Sequence, residues 1–137
     1  MNLNKIVVIT LLMFFCAPLP KVVHAAAADD LLAKYQELGA GKFSIKDGEA
    51  MWKRSFKDPE QGQERSCTTC HHSDLRLLGK HAQTGKPIEP MALSVNSKRL
   101  TDPKFIEKWF LRNCKWTVGR ECTPQEKGNF LMYLKNQ

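Results

Sequence analysis

Ser66-Cys67-Thr68-Thr69-Cys70-His71 is the stretch on which the fold turns. Two thiols three residues apart, with a histidine directly after the second, form a C-x-x-C-H run, the spacing of c-type haem attachment. Chemistry explains the spacing: the thiols reach the two vinyl groups on one haem edge, and the adjacent imidazole then lies below the iron as proximal ligand. Two other readings compete with this one. A thioredoxin-like redox pair needs an α/β context, and half a zinc site needs a second ligand pair. Neither accompanies the run, because Cys114 and Cys122 have seven residues between them and no histidine nearby. The expected cofactor is therefore one haem c, held covalently by Cys67 and Cys70, with His71 on the proximal side of the iron.

The rest of the chain sets the scale. Its 137 residues allow one domain and leave little room for two. With 42% hydrophobic and 26% charged side chains it has the composition of a folded soluble protein, which excludes disordered, collagenous and polytopic membrane chains. The net charge is +7, but the lysines and arginines are spread along the whole length instead of forming a patch, so no nucleic-acid partner is expected. Ahead of the domain, residues 1–25 read as a secretory signal peptide: Lys5, then an apolar run from Ile6 to Leu19, then the small residues after His24. That run is shorter than the roughly 18 to 20 residues a spanning helix needs, and Pro18 sits near its end, so no stable membrane insertion is expected after cleavage. Residues 26–137 then form a monohaem domain in the periplasm, still basic because the leader carries two lysines and no acid. Export also places the thiols in an oxidising compartment, where Cys114 and Cys122 are expected to form a disulfide.

A small all-helical domain around one haem is the expected architecture. Asp29 to Leu38, with Leu31, Leu32 and Tyr35, reads as a short amphipathic helix stopped by Gly39 and Gly41. Asp47 is positioned to cap a second helix that carries Met51, Trp52 and Phe56, and Pro59 to Ser66 reads as a polar loop. Asp74 to Leu100 has little periodicity and is punctuated by Gly79, Gly85, Pro87 and Pro90. Thr101-Asp102-Pro103 supplies a cap and a first-turn proline for a third helix, and Thr123-Pro124-Gln125-Glu126 is a capping box for the last.

From Phe43 to the C-terminus the chain resembles class I cytochromes c. Gly48 and Trp52 look like that family's N-terminal helix, and Phe130 to Lys135 like its C-terminal helix, the two crossing where glycine allows close approach. Function then depends on the sixth iron position, which methionine or histidine fills in an electron carrier and which an open or weakly filled site leaves to small ligands. Met91 and His81, both in the loop after the haem motif, are candidates. Met51 precedes the motif, Met132 reads as core filling, and His72 is too close to His71 to reach the opposite face.

A narrower resemblance is to the oxygen-binding cytochromes c of the sphaeroides haem protein type, with cytochrome c double-prime of methylotrophs as a relative. It is carried by Thr84-Gly85-Lys86, Arg99-Leu100-Thr101-Asp102, Glu107-Lys108-Trp109, Arg112-Asn113-Cys114, Gly119-Arg120 and Cys122-Thr123-Pro124. The resemblance implies that Asn113, directly before the disulfide cysteine, is a redox-labile distal ligand, at the place where cytochrome c double-prime has histidine. It implies electron transfer combined with binding of oxygen, nitric oxide or carbon monoxide at ferrous haem, and a dihaem or other multihaem cytochrome c as electron donor. Read without the resemblance, an asparagine near a helix end is a capping residue. The alternative function is a plain electron carrier with a permanent Met or His sixth ligand. A third reading is catalysis, such as oxygen or nitric oxide reduction, but nothing resembling a peroxidase acid–base pair can be identified to support it, and enzyme status stays open. Met91 and Lys115 depart from the family pattern, the latter a cation near the expected distal site.

Overall fold

The structure, a computed structural model, describes residues 26–58 and 61–137, so the signal-peptide reading of residues 1–25 lies outside it. Among the described residues four helices carry the fold: α1 (Ala26–Glu37), α2 (Ile45–Lys53), α3 (Pro103–Val118) and α4 (Pro124–Lys135). Two small antiparallel ladders lie between α2 and α3, namely β1 (Phe56–Lys57) with β2 (Glu64–Arg65) and β3 (Gly79–Lys80) with β4 (Pro87–Ile88). β2, β3 and β4 fall in stretches that the sequence reads as irregular, and β1 takes Phe56 from the expected second helix. Their pairings, Phe56 opposite Arg65 and Gly79 opposite Ile88, are too short for the alternation that reveals a strand.

The helix boundaries follow local chemistry. α2 begins two residues before Asp47, because Ser44 is the cap: its hydroxyl accepts the Asp47 N–H at 3.1 Å. Asp47 instead lies in the first turn, where its charge favours the helix dipole, and Phe56 falls beyond the helix in β1. The carboxylate of Asp102 caps α3 by accepting from Lys104 and Phe105 N–H at 2.9 and 3.2 Å, with Pro103 in the first turn. Asp102→Ala should therefore lower unfolding free energy by about 1 kcal/mol in a denaturant titration. A value near zero would mean that water replaces the carboxylate without loss. At α4 the Thr123 hydroxyl accepts from Glu126 N–H at 3.2 Å while the Glu126 carboxylate accepts from Thr123 N–H at 2.8 Å, the reciprocal box expected from sequence. The Arg120 guanidinium grips the same Glu126 carboxylate with two 2.7 Å bonds.

α2 crosses α4 at Gly48, and Gly128 of α4 makes room for Phe43, just before α2. A Cβ on Gly48 would overlap the Asn129 carbonyl and reach 2.8 Å from Tyr133 Cβ, while one on Gly128 would overlap the Phe43 ring. Trp52, buried at the crossing, presents its ring to Phe130 and Tyr133 at 6.3 and 6.2 Å. α1 packs against α3 and α4 through Leu31, Leu32 and Tyr35. Glu107 of α3 ties this junction together, bonded by Lys34 of α1 at 3.2 Å and Lys127 of α4 at 2.8 Å. Partial burial works to raise the Glu107 pKa, but those two ammonium groups outweigh it and hold the carboxyl below its usual range.

Candidate haem-binding site

Between Ser66 and His71 the backbone closes a 3₁₀ turn over Cys67–Thr69. Cys70 and His71 N–H both donate to the Cys67 carbonyl, at 3.3 and 3.0 Å, and Ser66 N–H donates to the Thr69 hydroxyl at 3.0 Å. The two residues between the cysteines thus lock the loop through their hydroxyls, and they leave Cys67 and Cys70 as half-buried free thiols. The β3–β4 hairpin is sealed onto this turn: Lys80 N–H donates to the Cys70 carbonyl at 2.7 Å and Ala82 N–H to its Sγ at 3.3 Å. Gly79 is needed there, since a Cβ would collide with the Cys70 carbonyl.

His71 projects beside Trp52, ring centroids 5.4 Å apart, and the Trp52 indole N–H faces the His72 carbonyl at 3.5 Å. Burial, helped by the positive charge of Arg99, lowers the His71 pKa to about 4, so its imidazole is neutral at ordinary pH, the form that binds a metal. Burial likewise pushes the Cys67 thiol up to about 12. Arg99 itself fastens the proline-rich loop by donating to the Pro90 and Glu89 carbonyls at 2.9 and 2.5 Å.

His71 and Cys70 form one side of a cavity of about 610 Å³, and the C-terminal half of α3 supplies residues including Asn113 and Trp116. That volume lies in the range of small-molecule and cofactor sites. Sequence-predicted residues up to 42 positions apart, His71, His81 and Asn113, are therefore brought to one place. Asn113 is not a helix cap. α3 continues five residues beyond it, and Gly119, at φ +80°, takes the left-handed capping position that favours glycine. Cys114 turns the other way, into the core, where it is bonded to Cys122 with Cα atoms 5.6 Å apart. Lys115 also lines the cavity, but its ammonium pairs with Glu121 at 3.1 Å.

Met91 stands apart from this arrangement. It packs against the core, its N–H donating to the Leu75 carbonyl at 2.9 Å, and it is absent from the cavity lining. His81 does line the cavity, with Nδ1 accepting from Gln83 and Thr84 N–H at 3.3 and 3.2 Å. A pair that the sequence does not single out is Asp58 and Arg65, joined at 2.5 Å in the cavity wall. Both look solvated in a polar stretch, and no local signal marks them.

The residues present fit a haem. Among the described residues no group of three His, Cys, Asp or Glu side chains converges as a ligand set for a bare metal ion. The donors instead line a cavity large enough for a planar cofactor. Phe105 and Trp109, large and exposed, lie eight and four residues before Asn113 on the same flank of α3, apolar surface of the kind a macrocycle covers.

Fold and cavity together are those of a c-type cytochrome. A family described as Domain of unknown function (DUF1924) matches residues 38–134. The cytochrome c-type protein SHP of Cereibacter sphaeroides is 35% identical over 118 residues, 86% of this chain and 90% of SHP. Cytochrome c'' of Methylophilus methylotrophus is 43% identical over 91 residues, 66% of this chain, and that match spans 62% of the relative's own length. The solved structure of oxidised SHP, described as an oxygen binding cytochrome c, superposes with a TM-score of 0.72 at 36% identity, covering 80% of this chain and 96% of SHP. Oxidised cytochrome c'' superposes with a TM-score of 0.71 at 37% identity, covering 81% and 94%. The chain belongs to this family, that of SHP and cytochrome c'', and its cofactor is a c-type haem.

Proposed function

We propose that this protein is a periplasmic monohaem cytochrome c that takes part in electron transfer and binds small diatomic ligands at ferrous haem once Asn113 lets go. The observation that carries this reading is the placing of Asn113 and His71 on one cavity. When bound, a haem would supply a one-electron redox centre that can also take small ligands. Cys67 and Cys70 would hold it through thioether bonds, and His71 would give its neutral imidazole to the iron. Asn113 offers an amide oxygen, a hard, neutral and weak donor that favours ferric over ferrous iron. A side chain that lets go of reduced iron so readily would leave a diatomic ligand no strong donor to displace. The relatives lend support: SHP is described as oxygen binding, and a solution structure of cytochrome c'' concerns haem-ligand detachment.

Residues 1–25 act as the export signal under this reading, leaving residues 26–137 as the haem domain. Among the described residues no helix is long and apolar enough to cross a membrane. The electron donor is a dihaem or other multihaem cytochrome c, and the chain's basic charge steers an acidic partner toward it. A second reading, a plain electron carrier, rests on His81, which reaches the same cavity. Absorption spectra decide between them. Ferrous protein that is high-spin and binds carbon monoxide supports the first reading, and ferrous protein that is low-spin and inert supports the second. Haem staining of the mature band after denaturing electrophoresis tests attachment, and haem extracted by acidified organic solvent would rule it out.

A further inference from the structure

Arg65 is the side chain that joins the two halves of the site. It stands in β2, two residues before Cys67, on the backbone that leads into the haem motif. Its side chain is only 12% exposed and that of its ion-pair partner Asp58 only 11%. From there the guanidinium crosses to α3. NH1 donates to the Trp116 carbonyl at 3.1 Å, and Cζ lies 4.7 Å over the Trp116 ring. NH2 reaches Gln61 Oε1 at 3.3 Å. Trp116 follows Asn113 by three residues, close to one helical turn, so both face the same flank of α3. The Cys114–Cys122 bridge restrains α3 from the core side, and Arg65 restrains it from the cavity side.

We propose that Arg65 is a positioning residue that sets how firmly Asn113 holds ferric iron, by clasping the last turn of α3 to the segment that carries the haem-attachment cysteines. This inference rests on the reading of Asn113 as the distal ligand. Charge-assisted hydrogen bonds and cation–π contacts together hold the carbonyl and ring of Trp116, and with them the rotation of α3 about its axis. An amide oxygen is a weak ligand with a short reach, so a small rotation away from the cavity costs it the bond. A residue acting this way affects the ferric state alone, because in the ferrous state Asn113 has already withdrawn.

The test uses the mature haem-loaded protein with Arg65→Lys, which keeps a cation beside Asp58 but loses the planar fork. Arg65→Met, which keeps the stem without the charge, is the second variant. In both, the ratio of Asn113-free to Asn113-bound ferric protein, read from the high-spin absorption and electron paramagnetic resonance signals, should rise about tenfold. The reduction potential should rise by about 59 mV, the equivalent of a tenfold change for a one-electron couple. Carbon monoxide association with the ferrous protein should change less than twofold. Loss of a positive charge alone would lower the potential, so the sign in Arg65→Met separates positioning from electrostatics. In an Asn113→Ala background, Arg65→Lys should leave the potential unmoved. The proposal is overturned if Asn113→Ala changes the ferric spectrum and the Arg65 variants do not, or if Arg65→Lys shifts the potential equally in both backgrounds. If Asn113→Ala itself leaves the ferric spectrum unchanged, the distal-ligand reading has failed first.

Discussion

Asn113→His should convert the ferric protein to a low-spin form with imidazoles on both sides of the haem, should tighten ferric ligation by on the order of 100-fold, and should lower the reduction potential. The reason is the donor atom. Asn113 offers an amide oxygen, a weak donor, whereas an imidazole nitrogen at the same place on α3 binds ferric iron more strongly. A firmer hold on the ferric state makes reduction less favourable. Asn113→Ala should act in the opposite sense, leaving ferric iron five-coordinate or water-ligated and ferrous carbon monoxide binding close to that of the parent. Flash photolysis, redox titration and low-temperature electron paramagnetic resonance read these effects separately. If the parent ferrous protein is already low-spin and both substitutions leave it so, His81 holds the sixth position and the chain is a plain electron carrier.

Much of the fold could be read in the sequence because its determinants are local. Cys67 to His71 needs only its own spacing to declare a haem. The caps at Asp102 and Thr123 are likewise spelled out within four residues, and both appear in the structure as hydrogen bonds. Gly48 and Trp52 were legible through family resemblance, and the reason is steric, since the Asn129 carbonyl occupies the place of a Cβ at Gly48. The start of α2 was harder. Ser44 and Asp47 are both good caps three residues apart, and only the hydrogen bond from Asp47 N–H to the Ser44 hydroxyl shows which one serves.

What the sequence hid depends on distant partners. Two-residue ladders have no periodicity of their own, and β3 stands where it does because Lys80 N–H and Ala82 N–H find Cys70. Met91 could not be separated from His81 by counting residues, yet packing separates them: Met91 turns to the core and His81 lines the cavity. Arg65 was hidden most completely. Glu64-Arg65-Ser66 reads as a solvated loop, and the burial comes from Trp116, 51 residues further along the chain. Charge in a polar run says nothing about what will later fold over it.

The extent of α3 changes what should be expected of the disulfide. A ligand on a loop closed by Cys114 and Cys122 would depend on the bridge for its aim. In the structure Asn113 lies inside a helix that runs on to Val118, so backbone hydrogen bonds on both sides hold its Cα in place. The bridge instead fastens α3 to the segment leading into α4. Cys114→Ala with Cys122→Ala should therefore lower unfolding free energy by about 2.5 kcal/mol, the chain-entropy value for so short a loop. Ferric ligation by Asn113 should weaken less than threefold, a smaller change than the loss of the Arg65 clasp produces. Guanidinium titration monitored by haem absorbance gives the first quantity, and the ferric high-spin fraction in native buffer gives the second. A variant of unchanged stability whose ferric iron has lost Asn113 would show the reverse assignment, with the bridge aiming the ligand and the helix contributing little.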